Sequence, residues 1–157
     1  MEAQAAILKI LHDNSVKENP EDPDKVLEWI KQISCSSLFF KIESFPAVIV
    51  EDAEPAFESY RGADQAAITS EKQFVNVAVI IKSANTNENG FTVEDYMEIK
   101  SELKTKADAV KSVLMEQLQE VSGVFGGEVG AASIHDTTID AEPAMMCIMP
   151  FTVIIIK

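Results

Sequence analysis

The run from Thr92 to Val121 constrains this chain more than any other stretch. Tyr96, Ile99, Leu103, Ala107, Val110, Leu114, Leu118 and Val121 recur at steps of three and four, which lays them along one stripe of an α-helix. Glu98, Lys100, Glu102, Lys104, Lys106, Asp108, Lys111 and Glu116 fall between them and suit a wet face. Thr92 is a good N-cap, with Asp95 three residues on, and Glu94 and Asp95 place negative charge in the first turn. Ser122-Gly123 and then Gly126-Gly127 interrupt the pattern and end the helix. Helical throughout, the segment is about 45 Å long at a rise of about 1.5 Å per residue. A single apolar stripe has to be buried on something. Apolar runs before it (Phe74 to Ile81) and after it (Ala144 to Ile156) supply a sheet. The expected fold class is therefore α+β: a mostly antiparallel sheet with one long helix, 92–121, on one face and short N-terminal helices nearby.

Length and charge narrow the function. A chain of 157 residues predicts one domain, 1–157, and 46% apolar residues suffice for a core. The formal charge of −13 argues against unaided nucleic-acid binding, because affinity for phosphate comes mainly from Lys and Arg. It argues equally against docking on an anionic membrane. Acidity of this size serves solubility, or else it makes a surface that repels nucleic acid or complements a basic partner. Cys35 and Cys147 form no spaced cluster and read as ordinary thiols. The start, MEAQAAILKI, lacks the basic and long apolar regions of a signal peptide. The longest apolar run falls far short of the roughly 20 residues a bilayer requires. The expected location is the cytoplasm, or a particle assembled there.

Taken in order, residues 2–11 place Ala3, Ala6, Ile7, Ile10 and Leu11 on one helical face. Two prolines and three acids between Asn19 and Asp24 read as a turn. Residues 24–33 predict a second short helix, capped by Asp24, with Val26, Leu27, Trp29, Ile30 and Ile33 on its apolar face. Trp29 suits a core or interface anchor better than a ligand platform. Residues 36–43 predict a strand, broken at Ser44-Phe45-Pro46 and followed by a short strand from Ala47 to Val50, or one bent strand through both. Residues 51–71 differ in kind. Six acids (Glu51, Asp52, Glu54, Glu58, Asp64 and Glu71) stand against Arg61 alone, with Pro55 and Gly62 and weak periodicity. This predicts a long acidic loop or interaction arm, for which Phe57 and Tyr60 are candidate anchors. Residues 72–83 predict the clearest strand, leading through a polar connector to the long helix. A strand with a polar end is expected within 126–140, then a turn, then a last strand over 145–156. Pro150 requires an edge or a bulge there, and the last two strands read as antiparallel neighbours.

The search for chemistry returns little. No phosphate-binding glycine loop is present, because the glycines at 123, 126 and 127 follow a helix rather than a strand and read as a hinge or turn. His12 and His135 have no partner at metal-ligand spacing. His135 and Asp136 are neighbours, and neighbours on a strand point to opposite faces. Met145, Met146, Cys147 and Met149 resemble a soft-metal set, but alternation divides them and favours packing. No residue is nominated as catalytic, metal-ligating or cofactor-binding, and the chain is expected not to be an enzyme.

Phe45-Pro46-Ala47-Val48-Ile49-Val50 resembles the proline-led short strand of small tail proteins of contractile and flexible-tailed bacteriophages. In those families an N-terminal helix, such a strand, a variable loop, a strand like Gln73 to Ile81, a helix like Thr92 to Val121 and a last strand follow in that order. The order resembles the tail terminator and tail completion families, prophage relatives included, over most of the chain. The stretch 19–36 departs from their simplest pattern. The resemblance implies a structural protein that forms a ring, commonly of six subunits. Such a ring caps the finished tail tube and meets the head connector without catalytic residues, a cofactor or a membrane. It implies assembly in the host cytoplasm and then residence in a virion or tail-like particle. Negative charge suits a ring whose lumen passes DNA without binding it. An apolar last strand suits edge pairing across an interface. The residues chosen for that interface are Phe57, Tyr60 and Arg61. Two other classes compete: a small-molecule-binding α+β protein or enzyme of unknown substrate, and an acidic adaptor or inhibitor of a basic protein.

Overall fold

A computed structural model describes residues 2–36, 40–61, 68–83 and 92–156, with backbone alone at 60, 61, 68 and 69. Helix α1 (Ala3–Ser15) is followed by β1 (Gln32–Ser34), β2 (Ala47–Arg61) and β3 (Ile68–Lys82). Helix α2 (Val93–Gln117) runs into a single 3-10 turn, and β4 (Val124–Val129), β5 (Ser133–Ile139) and β6 (Glu142–Ile156) complete the chain. One sheet carries them in the order β1-β2-β3-β6-β4, and β5 lies in line with β4 on the same side of β6. All pairings are antiparallel except β1 with β2. The chain is thus α+β, with a mostly antiparallel sheet and the long helix on one face.

Helix α2 forms where its stripe and cap require. The Thr92 hydroxyl accepts from the Asp95 N–H at 3.1 Å, and the Asp95 carboxylate accepts from the Thr92 N–H at 3.1 Å. This is a reciprocal capping box. Leu103, Ala107, Val110 and Leu114 are buried, as is Leu118 in the 3-10 turn. They rest on one face of the sheet, made by Val48 and Val50, Val75, Val77, Val79 and Ile81, and the odd-numbered residues of β6 from Met145 to Ile155. The period of two along β3 and β6 puts this set on one side. The even-numbered residues of these two strands, and Ile49 of β2, face the other side. There Ile49, Ala78, Ile80 and Ala144 form a second, smaller cluster covered by Ile42 and Phe45. Gln32 holds that cover in place: its amide oxygen accepts from the Glu43 and Ser44 N–H groups at 2.8 and 3.1 Å, and its amide nitrogen donates to the Lys41 carbonyl at 2.9 Å.

Helix α1 packs beside α2. Glu2 provides no side-chain cap. The buried Gln73 of β3 does so instead, its side-chain oxygen accepting from the Ala3 N–H. The Gln4 amide reaches the carbonyls of Val50 and Cys35 at 2.8 and 3.1 Å. Asn14 and Gln117 exchange two amide hydrogen bonds, at 2.8 and 3.1 Å, which join the two helices.

Four expectations require correction. Residues 24–33 form no second helix: the chain turns over 26–29 and then enters β1. Leu27 and Ile30 are buried as the spacing demands, but one turn with an Ile30 N–H to Leu27 carbonyl bond achieves it. Asp24 pairs with Lys17 at 2.6 Å rather than capping a helix. Residues 40–46 are not strand, and 37–39 lie outside the described residues. The acidic stretch 51–71 is no irregular loop where it is described, because β2 continues to Arg61 and β3 begins at Ile68. Both strands extend because each gains a ladder partner. Finally, the region 126–140 holds two strands. Gly123, at φ 88°, makes the turn after α2, while Gly126 and Gly127 lie in β4.

Pro150 sits where these two strands part. Strand β4 pairs with β6 as far as Phe151, and β5 pairs from Ile148 onward. The Gly130 N–H donates to the Pro150 carbonyl at 2.8 Å. In an antiparallel strand a residue's N–H and C=O point the same way, so the missing proline N–H faces this break and costs no ladder bond.

Candidate functional site

The two lateral edges of the sheet differ from its middle. Strand β1 pairs with only Ala47, Val48 and Ile49 of β2. Beyond Ile49, no strand among the described residues covers the outer edge of β2. That edge is acidic, with Asp52, Glu54 and Glu58 exposed. It is also irregular: Asp52 stands opposite Val75 and Phe57 opposite Gln73, so four residues of β2, including Pro55, bulge against one of β3. Proline, charge and a bulge are the devices by which an edge strand avoids indiscriminate pairing. Phe57 follows the bulge and is 60% exposed. Tyr60 and Arg61 stand opposite Ser70 and Ile68, and their side chains lie outside the described residues.

The opposite edge belongs to β4, β5 and the flank of α2. Between β4 and β5 the chain leaves the ladder over 130–132. A groove of about 320 Å³ opens there, floored by Ala107, Val129, Ile134, Cys147 and Met149. Lys104, Asp108 and Lys111 of α2 line its wall. Burial, and then the charge of Asp108, pushes the Cys147 thiol's pKa up. A second, smaller cleft of about 240 Å³ lies at the start of α2, lined by Tyr96, Ile99, Asp136, Pro143 and Met145. The Tyr96 hydroxyl donates to the Asp136 carboxylate at 3.2 Å, and desolvation followed by that carboxylate raises the phenol pKa.

The residues weighed for chemistry are dispersed. His135 is exposed and bonds the Ser133 hydroxyl at 2.8 Å, while Asp136 turns to Tyr96, so the two do not act as a pair. Met145, Cys147 and Met149 are buried in the main core, and Met146 lies on the other face. Trp29 is half-buried against the core, with the Lys106 ammonium 5.0 Å from its ring centroid. Among the described residues no three His, Cys, Asp or Glu side chains group to hold a metal ion. No described helix is long and apolar enough to cross a membrane.

Phe57, expected in a long loop or arm, lies exposed on strand β2, and the groove was not foreseen from the sequence. Lys104 and Lys111 lie seven residues apart, on one edge of a helix, which was the available signal. That they flank a break between two strands depends on the split of 124–139, which periodicity does not announce. No protein-family model and no curated protein matches this chain.

Proposed function

We propose that this chain is a structural component of a phage or prophage tail, a tail terminator or tail completion protein that assembles into a ring capping the tail tube. The observation that carries the reading is the pair of dissimilar sheet edges. The acidic edge of β2 lies on one side, and the grooved edge of β4 and β5 lies on the other. Two different edges on opposite sides of one rigid sheet suit a head-to-tail contact, and head-to-tail contacts that close by rotation make rings. The formal charge of −13 suits a lumen that passes DNA without holding it. In this reading the protein does no catalysis, needs no cofactor, binds no nucleic acid directly and meets tail-tube and head-connector proteins at its two faces. It assembles in the host cytoplasm and resides in the finished particle, in a ring of about six subunits by the family resemblance.

Light scattering of the purified chain over a concentration series tests it. The expected result is a discrete multimer, seen as rings by negative-stain microscopy. A strict monomer at every concentration would sink self-assembly as the mode of action. The cleft at Tyr96 favours a second reading, small-molecule binding. Its 240 Å³ falls below the roughly 300 Å³ at which ligand sites usually begin, which ranks it second.

A further inference from the structure

Lys104 and Lys111 line the groove at the β4–β5 break, and Lys100 lies one turn earlier on the same edge of α2. None of the three is in an ion pair among the described residues. Lys106, by contrast, turns to the other side of the helix and is engaged by Glu102 at 3.3 Å and by the Trp29 ring. A basic strip beside an apolar floor is a specific feature in a chain with twice as many acids as bases, 26 against 13. Asp108 is the one acid on the same wall.

The chain also carries the complement. Asp52 and Glu54 are exposed on β2 and make no ion pair among the described residues, and Phe57, opposite Gln73, lies on the same face as Asp52, opposite Val75. An apolar anchor flanked by acids matches an apolar floor flanked by bases. The two features cannot meet within one molecule. Strands β3 and β6 separate β2 from β4, which sets them about 14 Å apart across a hydrogen-bonded sheet. They meet only between copies.

We infer that the β2 arm of a second copy of this chain docks in the groove between α2 and the β4–β5 break, with its Phe57 on the apolar floor and its Asp52 and Glu54 against Lys104 and Lys111. This rests on the self-assembly reading and specifies which surfaces make the contact. The charges steer and register the arm, and the aromatic ring supplies the desolvated anchor.

A charge-swap series on the full chain tests the pairing: wild type, K104E/K111E, D52K/E54K and the combination of all four, each followed by light scattering against concentration. The four sites are exposed, so circular dichroism and melting temperature stay close to wild type. Each double variant weakens assembly by about a hundredfold, because like charges are set against each other at the contact. The combined variant recovers to within about tenfold of wild type, because the pairs are re-formed with their signs exchanged. Wild-type assembly weakens with added salt, as screening requires. Persistence of wild-type assembly in K104E/K111E would overturn the inference and leave self-assembly standing. Loss without recovery in the combined variant would overturn the pairing as well. A wild-type chain that stays monomeric throughout overturns both this inference and the reading it rests on.

Discussion

Replacing Gln73 by Met removes a contact that ties helix to sheet. The Gln73 side-chain oxygen accepts the hydrogen bond of the Ala3 N–H, at the first residue of α1. Ala3 is fully buried and Gln73 nearly so. Water therefore does not replace the lost acceptor. Methionine keeps the volume and flexibility of glutamine, so the cavity contribution is small. What remains is lost polar bonding of the Gln73 amide, of which the buried Ala3 donor left without a partner alone costs about 1–3 kcal/mol. For a chain of this size 1 kcal/mol shifts the melting point by about 2–4 °C, so the fall is about 2–12 °C, centred near 6 °C. Thermal unfolding at fixed protein concentration measures the total, because self-association would otherwise contribute. Amide hydrogen exchange locates it. Exchange rises at Ala3 and Ala6, at the start of α1, and not along β3, whose ladder bonds to β2 and β6 persist. An unchanged melting point, or a loss of protection spread evenly through the sheet, would refute this account of how α1 is held.

Other substitutions probe the remaining elements. Thr92→Ala removes one half of the capping box and costs about 1 kcal/mol, read as a melting-point fall of about 2–4 °C. Gly130→Ala places a methyl group 3.0 Å from the Pro150 ring; both residues are exposed, so the ring shifts by a few tenths of an ångström and stability by urea denaturation changes by no more than about 1 kcal/mol. Tyr60→Ala combined with Arg61→Glu, at the arm's end, weakens assembly in light scattering; unchanged assembly removes those two residues from the interface. The buried thiol of Cys147 keeps its proton to higher pH than in the unfolded chain. As pH rises past about 8.5 the unfolded thiol ionises first, so the folded state loses stability upward from there, by at most about 1.4 kcal/mol per pH unit. Cys147→Ala flattens that part of the pH profile in denaturant titrations.

Helix α2 was legible in the sequence because its determinants are local. The stripe repeats within a turn, and Thr92 and Asp95 cap it within three residues. Strand β3 was legible for the same reason, its β-branched apolar run from Phe74 to Ile81 being interrupted by Asn76 alone and ended by Lys82. The burial of Leu27 and Ile30 was likewise implied, though not the turn that achieves it. What the chain order alone left open was every feature that depends on a partner. The acidic, proline-bearing half of β2 has no strand texture of its own, and it is held extended by its ladder with β3. The sequence from 124 to 139 divides into two strands because β6 is long enough, at 15 residues, to pair with both and carries Pro150 where they part. The cap of α1 comes from Gln73, 70 residues away. The candidate interface followed the same division. Phe57 could be named from an exposed acidic segment, whereas the groove facing the lysine edge of α2 exists only once β4 and β5 have been laid end to end along β6. Periodicity reports which residues a segment must bury, and only the folded chain decides what they are buried against and which edges are left for another molecule.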